Sequence, residues 1–412
     1  MSWKISNAEH LRMEFVLLAR EPDVNLSEVC RQFRISRKTG YKWLQRYKSK
    51  GLPGLADRSH RPEASPLQVT GAVVVELVKL RKDHEHWGPK KLKAALARSG
   101  FDSTEIPCLA TIGRILRRAG LSEAKGRGRP RSQLPIGPLT PAQGPNQVWT
   151  VDFKGWWRTR DGNRCEPLTI RDLYSRYLLC LRPVHRRRVN DVQVVFADVF
   201  RRYGLPEIIR SDNGGPFASI TGPHGLTRLS AWWRTLGIKL ERIDPGHPEQ
   251  NGGHERMHGD LAREIQRQPS ATVAEETKRL EQWRVEFNME RPHEALAMKT
   301  PGEVYHSSQR RLENVRPYVY SLHFARRRVG RDGCILIGSR YVYVSSALAK
   351  TDVGLERLTE SSWRVWFCDL AVQEIHFDGS KFIRQPTTPG TTSRSEDCHP
   401  SPDNNLLPIT GS

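Results

Sequence analysis

Residues 149–154 read Trp-Thr-Val-Asp-Phe-Lys and place one acidic side chain, Asp152, inside an apolar run. β-Branched and aromatic residues in such a run are typical of a β-strand. Burial of a charged carboxylate in a strand is unfavourable unless the carboxylate is paired or coordinates something. This stretch therefore predicts a strand of a sheet in which Asp152 has a functional role.

The segments around this strand predict a mixed α/β sheet with helices on its faces. Strand-like runs and amphipathic helical runs follow one another along residues 147–310. Three strands followed by alternating helices and strands are the pattern of such a sheet. The predicted strands are 148–157, 167–172, 177–184, 207–211 and 238–243, and the predicted helices are 191–203, 226–236, 251–266 and 272–288.

Two further acids stand at positions where a sheet could bring them close to Asp152. Asp212 directly follows a short predicted strand, in the run Ser-Asp-Asn-Gly-Gly, and Glu255 lies in the first turns of a predicted helix. Each has an ordinary alternative, since Asp in Asp-Asn-Gly often makes a turn and an acid in a first turn complements the helix dipole. Three convergent carboxylates, in contrast, are the ligand type that Mg²⁺ prefers.

The order of these acids resembles the integrase core shared by retroviral integrases and bacterial insertion-sequence transposases. A strand Asp is followed by Asp-Asn-Gly and then by Pro245, Pro248, Gly252 and Glu255, and a Phe-Asn-x-x-Arg-Pro-His run ends at residue 293. The resemblance implies an RNase H-like fold. It also implies that Asp152, Asp212 and Glu255 are the catalytic residues and hold two Mg²⁺ ions, for which Mn²⁺ could substitute.

The interval between Asp212 and Glu255 is longer than is common in that family. Glu249 would give a shorter interval, but it directly follows Pro248 in a loop, so Glu255 is the preferred third acid. We attribute the extra length to residues 220–227, a Gly- and Pro-containing insertion expected in a surface loop, where added length costs little.

A competing motif overlaps the third acid. His254-Glu255-x-x-His258 matches the HExxH pattern of zinc metalloproteases, in which two histidines one helical turn apart bind zinc. That reading leaves Asp152 and Asp212 unexplained, and the motif follows a Gly- and Pro-rich loop rather than lying in a long apolar helix. A second alternative is a DNA-binding protein without catalytic activity.

The N-terminal region predicts DNA-binding helices. Helices at 26–33 and 37–50, joined by a tight turn, form a helix-turn-helix pattern in which Tyr41, Leu44 and Tyr47 share the apolar face. The expected DNA-facing side chains are Arg37, Lys38, Thr39, Lys42 and Arg46. Helices at 73–81, 90–97 and 109–118 predict a second such unit with a basic outer face, or a helical spacer.

A basic linker and a β-rich domain complete the expected organisation. Arg127, Arg129 and Arg131 lie in an Arg-Gly-Arg-Pro context that resembles the minor-groove AT-hook, although a solvated tether is equally compatible. Short strands at 335–337, 341–344, 365–367 and 372–377 predict a small β-barrel or sandwich. The predicted divisions are a helix-turn-helix domain at 1–62, a second helical domain at 66–121, the linker at 122–146, the catalytic core at 147–310, the β-barrel at 316–385 and a disordered tail at 386–412.

Charge and composition favour a nucleic-acid partner. The 412 residues contain 66 Lys and Arg against 45 Asp and Glu, a formal net charge of +21. Such an excess is typical of proteins that bind polyanions. The seven scattered cysteines contain no CxxC pair, and we see no signal peptide or membrane-spanning run, so we expect a cytoplasmic, nucleoid-associated protein.

Together these features predict a DNA transposase. Its helix-turn-helix units would bind the terminal repeats of a mobile element, and its core would cleave the element ends and join them to target DNA. Helix-turn-helix units stand where viral integrases carry a His-His-Cys-Cys zinc module, which favours a transposase over a viral enzyme. By analogy with the family, we expect a homo-oligomer that holds two DNA ends.

Overall fold

The computed structural model describes residues 8–57, 68–122, 139–244 and 247–387, without the side chains of residues 248 and 249. The predicted linker arginines Arg127, Arg129 and Arg131, and most of the predicted tail, lie outside these ranges. The chain divides into two units after Val69, and each is described by itself.

The N-terminal unit is a small helical domain. Both predicted helices are present, and each begins with a side-chain cap: Asn25 accepts the N–H of Ser27, and Ser36 accepts that of Thr39. A preceding helix, which was not predicted, completes the core. The helices are α1 (Ala8–Leu18), α2 (Leu26–Gln32) and α3 (Arg37–Lys50), followed by a 3-10 turn at Leu52–Leu55.

The face that α3 buries differs from the predicted one. Tyr41 is 62% exposed, whereas Trp43 is buried and Leu44 and Tyr47 are partly buried. Gly40 lies so close to Cys30 that a Cβ there would stand 2.7 Å from the cysteine sulfur. The sequence pattern was misleading because Trp43, flanked by Lys and Leu, fits a helical apolar stripe as well as Tyr41 does.

The second unit begins with the three predicted helices of the second DNA-binding segment. Val73, Leu77, Leu92, Ile112 and Leu116 are buried and face one another across them. The helices are α4 (Gly71–Asp83), α5 (Pro89–Arg98) and α6 (Leu109–Arg118). The arginines on the outer face of α6, Arg114, Arg117 and Arg118, are exposed as predicted.

A five-stranded mixed sheet follows and has the RNase H-like arrangement. Three antiparallel strands form one side, and two parallel strands are added to the first strand on the other side, in the order β5-β4-β1-β6-β7. The strands are β1 (Val148–Phe153), β4 (Pro167–Asp172), β5 (Leu178–Pro183), β6 (Ile208–Ser211) and β7 (Lys239–Arg242), with a separate hairpin of β2 (Trp157–Arg158) and β3 (Arg164–Cys165).

Helices cover both faces of this sheet. One hydrophobic cluster joins the sheet to α7 and α8, and a second joins the other face to α9 and α10. The helices are α7 (Val189–Tyr203), α8 (Arg228–Thr235), α9 (Gly252–Leu261), α10 (Val273–Met289) and the short α11 (Pro301–Val304). A π-helical turn, Ala262–Gln266, ends α9 earlier than predicted, and the first strand ends at Phe153 rather than at 157.

The C-terminal strands form a two-layered β-domain. A five-stranded antiparallel sheet in the order β14-β13-β12-β11-β8 shares one core with the hairpin β9–β10. Because β14 and β8 are its edges, the hydrogen-bonded ladder is open rather than a closed barrel. The strands are β8 (Ala325–Arg328), β9 (Cys334–Ile337), β10 (Arg340–Tyr343), β11 (Asp352–Arg357), β12 (Ser362–Phe367), β13 (Leu370–Phe377) and β14 (Phe382–Pro386).

The insertion at 220–227 is not the free surface loop that we expected. Leu226 is 1% exposed and belongs to the core of the C-terminal β-domain. His224 donates from Nε2 to the carbonyl of Ala371 at 2.6 Å, and Arg242 donates to the carbonyl of Gly225 at 2.7 Å. The extra residues therefore connect the sheet domain to the C-terminal domain.

Within the described ranges, no helix combines the length and apolarity needed to cross a bilayer.

Candidate active site

Asp152 and Asp212 lie at the carboxyl ends of neighbouring parallel strands. Thr150 of β1 pairs with Arg210 of β6, so each aspartate lies two residues beyond this pair in the same direction. Asp152 is opposed on the other side by Thr169 of β4, whose hydroxyl donates to the Asp152 carbonyl at 2.8 Å. The sheet itself therefore places the first two predicted acids next to each other.

The turn after β6 fixes the second acid. The Asp212 carboxylate accepts the N–H of Gly214 at 3.1 Å, and the Asn213 side chain donates to the carbonyl of Ile243 at 2.7 Å. Asp212 thus makes the turn that its sequence context suggested, and its half-buried carboxylate still stands at the end of the strand. The turn is tied to the residue after β7, which limits its movement.

Helix α9 carries Glu255 in its first turn, and side chains tie this helix to β1 and β4. Asn251 donates from Nδ2 to Asp152 Oδ2 at 3.4 Å. His258 lies 3.0 Å from the hydroxyl of Thr169, and its Nδ1 lies 3.8 Å from Asp152 Oδ2. Because the Thr169 proton is donated to the Asp152 carbonyl, His258 Nε2 acts as the donor to Thr169.

The electrostatics indicate that the three acids lie within range of one another. Burial raises the pKa of Asp152 to about 7, and the negative charges of Asp212 and Glu255 add to this rise, while Arg187 opposes it. A site that gathers like charges in this way favours a bound cation. Since all three donors are carboxylates, the donor set suits a hard divalent ion.

The side-chain positions do not form a closed ligand set. Across the described ranges, no three His, Cys, Asp or Glu side chains converge closely enough to hold a metal ion. Glu255 is exposed and on the helix, whereas Asp152 and Asp212 are half-buried at the sheet. The three predicted acids therefore do not form a metal-binding cluster as they stand in the structure.

The histidines of the HExxH pattern have other roles. His254 is fully buried, and its Nδ1 donates to Asn251 Oδ1 at 3.0 Å. Burial lowers the pKa of His254, and the neighbouring charges of His258 and Arg171 lower it further. A cationic guanidinium beside the two imidazoles disfavours a zinc ion, and His258 is engaged with Thr169 as described above.

The predicted DNA-facing residues of α3 remain a prediction, with the following placement. Arg37, Lys38 and Lys42 are exposed, whereas Thr39 and Arg46 are half-buried. The Thr39 hydroxyl lies 2.9 Å from that of Ser36, so it belongs to the cap of the helix. The charged ends of Lys42 and Arg46 lie 4.6 and 4.9 Å from the centre of the buried Trp43 ring.

Sequence reasoning missed a basic group beside Asp152. Arg187 donates from Nε to Glu166 at 2.7 Å, and its guanidinium lies 4.6 Å from the ring centre of Phe153. The run His-Arg-Arg-Arg at 185–188 was the available signal, but its position relative to Asp152 depends on the pairing of β4 with β5. Arg187 reaches the site only because that pairing brings the end of β5 near the end of β1.

Protein-family models match both the sheet domain and the helical segments that precede it. Two models described as integrase core domains match residues 142–248 and 236–301. A helix-turn-helix domain model matches residues 11–63, and a homeodomain-like domain model matches residues 39–116. The matched ranges cover the candidate site and the two predicted DNA-binding segments.

Relatives of the chain include proteins of bacterial insertion elements and of retroviruses. A 31.7 kDa protein of insertion element IS407 from Burkholderia multivorans is 26% identical over 253 residues, 61% of this chain and 87% of the relative. A 39.2 kDa protein of IS476 from Xanthomonas euvesicatoria is 28% identical over 260 residues, 61% of this chain and 70% of the relative. The Gag-Pol polyprotein of baboon endogenous virus is 26% identical over 197 residues, 47% of this chain and 11% of the polyprotein.

Solved structures with some similarity include retroviral integrases. The catalytic core domain of HTLV-2 integrase, solved with magnesium, gives a TM-score of 0.30 at 15% identity and covers 40% of this chain and 100% of that chain. A chain of the simian T-cell lymphotropic virus intasome, solved with a PP2A regulatory subunit, gives 0.34 at 16% identity and covers 75% of this chain and 96% of that chain.

The chain therefore combines an RNase H-like sheet that matches integrase core domain models with helical segments that match helix-turn-helix and homeodomain-like models, which are domains that act on DNA. The chain is also similar to proteins of bacterial insertion elements, and these similarities together support a function in DNA transposition and integration. The comparisons give no support to the metalloprotease alternative.

Proposed function

We propose that the chain is a polynucleotidyl transferase of the DDE type, with Asp152, Asp212 and Glu255 as its catalytic acids. The observation that carries this proposal is the placement of Asp152 and Asp212 at the ends of adjacent parallel strands. Glu255 adds to it, because its helix is tied to Asp152 through Asn251 and to Thr169 through His258.

The three carboxylates are proposed to hold two Mg²⁺ ions, for which Mn²⁺ could substitute. Burial raises the pKa of Asp152, and the nearby negative charges of Asp212 and Glu255 add to this rise, so bound cations would relieve the repulsion between the acids. When bound, divalent cations supply Lewis-acid activation of the attacking oxygen and stabilisation of the charge that develops on the phosphate. In this scheme Asp152 and Asp212 are fixed by the sheet, and Glu255 closes the site from the helix.

The reaction proceeds in two steps of phosphoryl transfer. In the first, a water oxygen attacks the phosphorus at the element end, and the bond to the 3′ oxygen breaks to leave a free 3′-OH. In the second, this 3′ oxygen attacks a phosphorus of target DNA, and the target 3′ oxygen leaves and takes up a proton. No covalent bond between protein and DNA forms in either step.

The other domains would bring the DNA to this site. Arg37, Lys38, Thr39, Lys42 and Arg46 of α3 are proposed to contact the terminal repeats, together with Arg127, Arg129 and Arg131 of the linker. Basic side chains at the start of a recognition helix reach base edges and phosphates in the major groove. Since two element ends must be joined to one target, we propose that the active form is a homo-oligomer.

The test is a cleavage assay with the full chain, Mg²⁺, and DNA that spans the boundaries of the protein's own genomic locus. Asp152→Asn should lower cleavage and strand transfer about a thousandfold or more, corresponding to about 4 kcal/mol. Binding to the terminal repeats should remain unchanged, because α3 belongs to the separate N-terminal unit.

A neighbouring acid provides the matched control. Glu249→Gln removes the acid that would give the shorter interval and should leave cleavage within a fewfold of the parent chain, whereas Glu255→Gln should abolish it. Full activity of Asp152→Asn would refute the proposed site. A parent chain that binds its terminal repeats but never cuts them would support the non-catalytic DNA-binding alternative.

A further inference from the structure

One exposed indole stands on the hairpin that follows β1. Trp156 is 49% exposed, whereas the adjacent Trp157 is buried and donates from Nε1 to Glu276 at 2.7 Å. The guanidinium groups of Arg164 and Arg158 lie 4.8 and 5.8 Å from the centre of the Trp156 ring. We refer to Trp156, Arg158 and Arg164 as the Trp156 platform.

A chain of contacts connects this platform to the candidate active site. Arg164 forms an ion pair with Glu166 at 2.9 Å, and Arg187 donates to the same carboxylate at 2.7 Å. Arg187 in turn packs on Phe153 and lowers the pKa of Asp152. The platform and Asp152 are therefore held in one assembly through the buried Glu166.

The hairpin that carries the platform is anchored at its tip. The N–H groups of Arg160 and Asp161 donate to the carbonyls of Ser270 and Ala271, both at 3.0 Å. The Asp161 carboxylate accepts the hydroxyl of Thr159 at 2.6 Å and the N–H of Asn163 at 3.1 Å. Because the tip is fixed to the loop before α10, the indole is presented on a rigid support.

The charge of this surface is strongly positive. Glu166 is buried and already paired with two arginines, and Asp161 is used within the hairpin tip. The exposed arginines of this surface, of which only Arg164 and Arg187 share Glu166, extend from the hairpin to the segment after β5: Arg158, Arg160, Arg164, Arg186, Arg187 and Arg188. An aromatic plane surrounded by guanidinium groups is the chemistry that binds single-stranded nucleic acid, since a base stacks on the ring and the cations contact phosphates.

We propose that the Trp156 platform binds an unpaired base of the DNA strand that is cut at the Asp152 site. Trp156 stacks on the base, and Arg158 and Arg164 contact the neighbouring phosphates. This inference rests on the proposed function for the identity of the bound strand. It adds a role that neither the acid motif nor the helix-turn-helix units supply: the opening of the duplex beside the scissile phosphate.

The first experiment measures stacking without cleavage. The full chain with Asp152→Asn is titrated with terminal-repeat DNA that has an unpaired end containing 2-aminopurine. Stacking should quench the fluorescence of the probe, and the additional change Trp156→Ala should remove the quenching and weaken binding of the unpaired end about fivefold or more. Trp156→Phe should restore most of both effects.

A matched control is Tyr174→Ala, which removes an aromatic side chain of similar exposure, 41%, on the turn between β4 and β5. It should leave the quenching unchanged. Because about half of Trp156 is exposed and its ring contacts the exposed arginines named above, its replacement should change the thermal unfolding temperature little, and this temperature is measured for each variant. Quenching that persists in Trp156→Ala, or that is lost equally in Tyr174→Ala, would overturn the proposal.

The second experiment measures cleavage with Asp152 intact. Trp156→Ala should slow cleavage of a fully paired end about tenfold, and the defect should shrink when the terminal base pairs are replaced by mismatches, since the duplex is then already open. An equal defect on both substrates would contradict the role in duplex opening. A parent chain that shows Trp156-dependent quenching but no cleavage would retain the platform and refute the proposed catalytic function.

Discussion

The candidate active site has two parts that are held in different ways. Asp152 and Asp212 are positioned by the hydrogen-bonded ladder between β1 and β6. Glu255 is positioned by a helix whose contacts to the sheet are made by side chains: its apolar residues pack in the core beneath the sheet, Asn251 contacts Asp152, and His258 contacts Thr169. We refer to these as the strand part and the helix part of the site.

The comparison shows which acid of the site is held more tightly. A ladder of main-chain hydrogen bonds cannot shift by a fraction of a residue, so the strand part is rigid. The helix part depends on side-chain packing and on an exposed Glu255, so its position is fixed less tightly than that of the strands. Loss of the carboxylate should abolish activity in either part, but a small displacement of the carboxylate should be far more damaging in the strand part than in the helix part.

Of the comparisons between the two parts, the largest effect on cleavage is expected from changing the length of the acidic side chain in each part. Asp152→Glu adds a methylene group at a half-buried position that the ladder fixes, and we expect at least a hundredfold loss of cleavage, as is typical for a misplacement of about 1 Å. Glu255→Asp shortens a side chain on the helix part and should cost less. Single-turnover cleavage rates of the two variants measure the difference, and a larger loss for Glu255→Asp would contradict the division.

The next effect concerns the contact between His258 and Thr169. His258→Ala removes the donor that links α9 to β4 beside Asp152, and we expect activation to require about 10- to 100-fold more Mg²⁺, the range typical of residues that orient metal ligands. His258→Gln keeps a donor that can reach Thr169 and should recover part of this loss. A titration of cleavage rate against Mg²⁺ measures both, and an unchanged Mg²⁺ dependence in His258→Ala would remove His258 from the positioning of the site.

A smaller effect is expected from two glycines of α9. A Cβ at Gly253 would stand 2.5 Å from the Nη2 atom of buried Arg171, whereas a Cβ at Gly259 meets nothing within 4 Å. Gly253→Ala should lower the free energy of unfolding by up to about 2 kcal/mol, since overpacking outweighs the gain in helix propensity. Gly259→Ala should raise it by up to about 1 kcal/mol. Urea unfolding measures both changes, and equal effects would show that Arg171 yields freely.

The same division explains what could be predicted from the sequence. The positions of Asp152 and Asp212 could be predicted from the order of the strands. Asp152 lies within an apolar run and Asp212 directly follows one, and both runs must pair within the sheet. The contact of His258 with Thr169 and the link from Arg187 to Trp156 join residues far apart in the chain, and no local pattern marks them. Leu226 was misjudged for a related reason: a single apolar residue in a Gly- and Pro-rich segment gives no sign of the distant β-domain that buries it.

The smallest expected effect is a pH dependence that arises beside the helix part. Burial lowers the pKa of His293 to about 3, and the nearby charges of Lys91 and Arg171 contribute to the shift. Since the unfolded chain binds this proton near pH 6.5, the stability that comes from neutral His293 is present above pH 6.5 and is lost as the pH falls toward 3. Between pH 7.5 and 5.5 the loss should be about 1 kcal/mol.

The raised pKa of Asp152 acts in the opposite direction, because its contribution is lost as the pH rises through about 7. His293→Gln separates the two effects, since it removes the imidazole and leaves the acids unchanged. Urea unfolding at pH 7.5 and 5.5 should show a smaller fall in stability for His293→Gln than for the parent chain. The same fall in both proteins would show that His293 takes up its proton without loss of packing, and that the helix part tolerates a charge at this position.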